Sequence, residues 1–102
     1  MEIVPYLKEM IEKGGSDLFF ITGAPVNLRI EGSISPIGTE PLTPGRTREM
    51  ANEIMSEQQR EEFESEMEQN FALSINGVGR FRANIYRQRG EVSMVLRHIK
   101  TE

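Results

Sequence analysis

Cysteine is absent from the 102 residues and histidine occurs once, at His98. The first absence removes disulfides and thiolate nucleophiles, and the second leaves neither a zinc ligand set nor a Ser-His-Asp triad. Ser16, Ser74 and Ser93 have no base nearby in the chain, so hydrolytic catalysis finds no support. Apolar runs are short as well. None approaches the ~20 residues that cross a bilayer, and Met1-Glu2-Ile3-Val4-Pro5 lacks the basic opening of a signal peptide. A cytoplasmic protein is expected. With 37% hydrophobic residues, a chain of this length supports a single small domain around one core.

Positive charge is scarce overall and concentrated in one place. The net charge is −4, yet residues 79–97 hold five of the nine arginines, no lysine and a single acid, Glu91. That is a local +4, which leaves −8 elsewhere. The excess acid gathers in Glu57, Glu61, Glu62, Glu64, Glu66 and Glu68, which reads as a solvated helix face. Such a run repels nucleic acid and anionic membranes, so neither is expected as a partner.

Ile3, Val4, Leu7, Met10 and Ile11 recur at helical spacing, with Pro5 in the first turn and Gly14-Gly15 at the C-terminal cap. Leu18-Phe19-Phe20-Ile21 reads as a buried strand. Gly23-Ala24-Pro25 turns the chain, and Val26, Leu28 and Ile30 alternate with polar residues in a second strand. Gly32 to Pro44 reads as a connection with a brief extended piece at Ser33-Ile34-Ser35. Thr43 as N-cap and Pro44 at the first helical position predict a helix with Met50, Ile54 and Met55 on its apolar side. Ser56-Glu57-Gln58-Gln59 forms a capping box for another helix, on which Phe63 and Met67 are apolar. Met10, Met50, Met55 and Met67 are expected as core filler.

From Phe71 onward the period is two. Phe71, Leu73 and Ile75 form one face, and Phe81, Ala83 and Ile85 another. A two-residue Asn76-Gly77 loop would place Leu73 opposite Arg80 and mix apolar with arginine positions, so an odd-length loop or bulge is expected there. The order helix, two strands, two helices, three strands predicts an α+β domain over residues 1–102, with an antiparallel sheet of about five strands and its helices grouped on one side. Its core residues are expected to include Phe19, Phe20, Leu28, Phe71, Leu73, Phe81 and Leu96.

A turn centred on Arg89-Gly90 gathers Phe81, Ala83, Ile85, Met94 and Leu96 on one face. The same register sets Arg80, Arg82, Asn84 and Tyr86 on the other, with Arg82 directly opposite Arg97. Gly90 supplies the positive φ that a tight hairpin needs. Two opposed guanidiniums offer many N–H donors and no acceptor, which suits phosphate oxygens. The alternative is an ordinary surface salt bridge to Glu31, Glu68 or a neighbouring chain. Asp17, beside a glycine pair, reads as a cap or turn former, and His98 as a residue facing the core or paired with the backbone.

The segments Gly14-Gly15-Ser16-Asp17-Leu18-Phe19, Gly23-Ala24-Pro25-Val26-Asn27-Leu28-Arg29-Ile30, Glu31-Gly32, Pro41-Leu42-Thr43-Pro44 and Gly79-Arg80-Phe81-Arg82, followed by Arg97, together resemble a known family. It is the N-terminal domain of type IV pilus retraction ATPases, the PilT/PilU twitching-motility proteins of the secretion ATPase superfamily, and the resemblance runs the length of the chain. Phe19, where many retraction ATPases carry histidine, resembles the accessory PilU-like paralogues. The resemblance implies a PAS-like fold joined to a downstream RecA-like P-loop motor that assembles as a homo-hexamer at the cytoplasmic side of the inner membrane, against the pilus platform protein. It further implies that Arg82 and Arg97, assisted by Arg80, act as arginine fingers on the phosphates of ATP, held with Mg by the full-length protein. No Gly-x-x-x-x-Gly-Lys-Ser/Thr loop occurs in this sequence, so no catalytic residue, metal or cofactor is expected for the chain alone. Two rival functions remain: a stand-alone PAS-like ligand sensor, and an oligomerisation or docking module.

Overall fold

The computed structural model describes residues 1–100. Helix α1 (Val4–Glu12) forms where the apolar spacing places it, burying Leu7 and Met10. Its end follows from the glycine pair: Gly14 takes φ 69°, its N–H donates to the Ile11 carbonyl, and that of Gly15 donates to Met10 at 2.8 Å. Strands β1 (Asp17–Phe20), β2 (Asn27–Ile30) and β3 (Ser33–Pro36) follow. Next come α2 (Arg46–Ile54) and α3 (Glu57–Glu66), and then β4 (Glu68–Ile75), β5 (Gly79–Gln88) and β6 (Glu91–Ile99).

All six strands join one antiparallel sheet in the order β3-β2-β1-β6-β5-β4. The chain thus builds two three-stranded halves and closes them by pairing β6, its last strand, with β1. Residues from all three helices share one apolar cluster with Leu18, Phe20, Leu28, Phe81, Ala83, Ile85, Met94 and Leu96, so the helices cover a single face of the sheet. No helix among the described residues is long and apolar enough to cross a membrane.

Both hairpin expectations hold. Ile75 pairs with Gly79 across an odd-length loop, which keeps Leu73 opposite Phe81 and Phe71 opposite Ala83 on the core side. Gln88 pairs with Glu91, and Arg89 and Gly90 take φ 52° and 79°, the double positive φ of a type I′ turn.

The α+β class agrees with the sequence reading, while several details differ. The sheet has six strands rather than about five, because Ser33–Pro36 is a true edge strand. It is exposed throughout and held by backbone pairing, so it carries no apolar alternation to announce it. Phe19 leaves the core: its neighbours Leu18 and Phe20 take the helix side, and period two turns Phe19 to the other face. Helix α2 begins after Gly45, at φ 85°, rather than at Thr43-Pro44, whose residues form a turn in which Arg46 N–H donates to the Thr43 carbonyl. Met67 is 61% exposed instead of packed, since it ends α3 in the left-handed conformation and leaves the apolar stripe.

Candidate functional site

One row of side chains crosses the uncovered face of the sheet from edge to edge. Strand pairing sets Ile34, Arg29, Asp17, Arg97, Arg82 and Ala72 in line, one from each strand. Arg82 and Arg97 are therefore direct cross-strand neighbours, as the hairpin register requires. Of the five arginines in residues 79–97, Arg80, Arg82 and Arg97 share this face. Arg89 lies in the turn, and Arg87 follows the core side, where its guanidinium lies 5.2 Å from the Phe63 ring and bonds Glu64 at 2.9 Å.

The carboxylate of Asp17 lies between two arginines and is almost covered, with its side chain 6% exposed against 70% for Arg97. Arg97 Nε donates to Asp17 Oδ1 at 2.9 Å, and the Ser16 hydroxyl donates to Oδ2 at 2.8 Å. Arg29 Nε lies 3.7 Å from Oδ2, while its guanidinium rests 5.4 Å from the Phe19 ring, which explains why that phenylalanine belongs on this face. Burial pushes the Asp17 carboxyl up, but the Ser16 hydroxyl and the Arg97 guanidinium outweigh it and hold its pKa below the ordinary value. Asp17 is thus ionised at neutral pH, and the row of three arginines keeps an excess of positive charge.

Beside this row lies a cleft of ≈ 260 Å³ lined by Asp17, Asn70, Arg82, Asn84, Val95 and Arg97. Arg82 has no hydrogen-bond or ion-pair partner among the described residues, and the Asn84 Oδ1 is buried without one. Arg97 offers its terminal amino groups as well, because its bond to Asp17 uses only Nε. An anion entering the cleft meets donors from two adjacent strands. Arg80 stands apart. It lies two residues along β5, opposite Ile99 and Ser74, and borders a separate groove with His98 and Lys100.

The counter-ion is neither Glu31 nor Glu68: Asp17, expected as a cap or turn former, is the first residue of β1 and the partner of Arg97. The signal was present: with Leu18 and Phe20 in the core, alternation puts Asp17 on the arginine face. His98 is half-buried, its ring 5.4 Å from that of Phe81. The acidic run is solvated, with Glu57 to Glu66 on α3 and Glu68 at the start of β4, and Glu64 also pairs with Arg48 at 2.9 Å.

No protein-family model matches the chain. The type IV pilus ATPase PilU of Pseudomonas aeruginosa is 46% identical over 99% of the chain and 26% of that relative. The type IV pilus retraction ATPase PilT of the same organism is 31% identical over 100% of the chain and 30% of its own length. A crystal structure of the pilus retraction motor PilT with bound ADP superposes with a TM-score of 0.89 at 40% identity, covering 98% of this chain and 29% of that one. The chain is homologous to the N-terminal part of the type IV pilus ATPases. It spans between a quarter and a third of these relatives' length. The Legionella pneumophila ATPase DotB shares the fold at a TM-score of 0.70 and 20% identity, over 98% of this chain and 27% of that one.

Proposed function

We propose that this domain is the N-terminal arm of a hexameric P-loop ATPase that powers type IV pilus retraction and twitching motility, and that it brings Arg82 and Arg97 to the nucleotide phosphates. The observation that carries the reading is the direct opposition of Arg82 and Arg97 beside an open cleft, one arginine unpartnered and the other with its amino groups available. Charge spreads over phosphoryl oxygens as the terminal phosphate leaves, and preorganised guanidiniums stabilise that charge without reorganising. The P-loop, ATP and its Mg²⁺ belong to a RecA-like motor portion, so the arm completes a site whose chemistry lies elsewhere. Closure of the arm over the motor makes the arginines sense the γ-phosphate, and its loss on hydrolysis releases the closed arrangement. Arg80, outside the cleft, assists by long-range attraction. The hexamer works in the cytoplasm, peripheral to the inner membrane, with this domain packing between subunits and the pilus platform protein as partner.

The test is ATP turnover by the full-length enzyme. Arg82→Ala and Arg97→Ala each reduce it about tenfold or more, with hexamers intact by light scattering, and Arg80→Ala has a smaller effect. Wild-type turnover in both of the first two variants refutes the reading. Loss of the hexamer before loss of chemistry assigns the arginines to docking instead.

A further inference from the structure

We infer that Asp17 is a positioning residue: its buried carboxylate fixes the direction in which Arg97 presents its amino groups to an incoming phosphate. The inference rests on the phosphate reading of the arginine pair and assigns a different part to each of its members.

The asymmetry between the two arginines is the starting point. Arg82 has no polar partner among the described residues, so no hydrogen bond or ion pair within the domain fixes its guanidinium. Arg97 is exposed to the same solvent, 70% of its side chain being accessible, yet it is anchored at Nε to a carboxylate only 6% exposed. An arginine side chain has many rotamers to lose, and a guanidinium fixed beforehand loses fewer of them on binding. The site of attachment matters too. A bond at Nε leaves the outer edge of the guanidinium, with both amino groups, clear for bidentate contact with two phosphate oxygens.

The anchor is itself anchored. The Ser16 hydroxyl holds Oδ2, Arg29 lies against that same oxygen, and β1 is paired on one side with β2 and on the other with β6. An acid serving only to neutralise surface charge needs none of this, since exposed ion pairs gain little from being held. Asp17 also has the right reach. It lies directly across from Arg97 in the strand register, so β-sheet pairing and not a flexible loop sets their separation.

The experiment is a double-mutant cycle in the full-length ATPase, reading kcat and KM for ATP, with Asp17→Asn made alone and on an Arg97→Ala background. Asparagine keeps the shape and removes the charge. The expected result is a loss in kcat/KM of about tenfold for Asp17→Asn alone, a size typical of residues that orient a functional ligand, and almost none on the Arg97→Ala background. Undiminished loss on that background overturns the inference. A second readout on the 102-residue chain follows the Arg97 Nε–H resonance: slow exchange with water in the wild type, and fast exchange in Asp17→Asn while the amide signals of β6 persist. An unchanged resonance overturns the inference as well. The two readings fail differently. Wild-type turnover in Arg97→Ala removes the phosphate role and this inference with it, whereas impaired Arg97→Ala beside unimpaired Asp17→Asn removes the positioning role alone.

Discussion

On the helix side of the sheet, Leu18, Phe20, Phe81, Ala83, Ile85 and Leu96 are completely buried. One residue out of step along the same strands, the opposite face exposes Arg80, Arg82 and Arg97 and conceals one carboxylate. The two faces obey different physics but share one register. Apolar burial decides how β5 meets β6, because a one-residue slip would carry every core side chain into water. The arginines have no say in that decision and inherit their opposition from it. The arginine geometry on the charged face is therefore held by packing on the other.

The largest test of this contrast is Phe81→Ala, which empties a fully buried aromatic site between Arg80 and Arg82 of β5 and costs about 3–5 kcal/mol in denaturant unfolding. Next is acid titration. Asp17 has its folded-state pKa lowered, so its contribution is fully present above the unfolded value of about 3.8 and is lost as pH falls through the folded value. Unfolding followed across that range should show the wild type losing stability that Asp17→Asn never had, giving the variant a flatter acid limb. Gly90→Ala comes third. A Cβ there meets open space, so its cost is the left-handed φ of 79° alone, about 1 kcal/mol by thermal unfolding. Retention of the Arg82 and Arg97 pairing in that variant, read from cross-strand nuclear Overhauser effects, shows that packing and not the turn sets the register. The smallest effect is Arg82→Ala, within about 0.5 kcal/mol of wild-type stability. A loss comparable to that of Phe81→Ala would erase the distinction between the faces.

The difference between local and distant information explains what could be read beforehand. The hairpin through Arg89-Gly90 and the odd loop at Asn76-Gly77 were legible because each joins neighbours in sequence, and apolar matching within a few residues fixes them. The capping box at Ser56 and Gln59 was legible for the same reason, and both of its hydrogen bonds form. Strand β3 was only glimpsed, since an exposed edge strand leaves no mark in the apolar pattern. The bond between Asp17 and Arg97 spans 80 positions. Nothing local links them, and only the knowledge that β1 lies between β2 and β6 brings the acid under the arginine.

That strand order also governs how the molecule is made. Ribosomes extend a chain at roughly 5–20 residues per second, beginning at the N-terminus. The centre of this sheet is its final strand, so β1 waits through the synthesis of every later element with one edge bare. Asp17 spends that interval without its main counter-ion. Pairing of β6 with β1 and β5 joins the two halves, completes the apolar core and sets Arg97 between Asp17 and Arg82. Birth order makes the face with the paired arginines the last part of the domain to exist, and a nascent chain cut short before β6 lacks it.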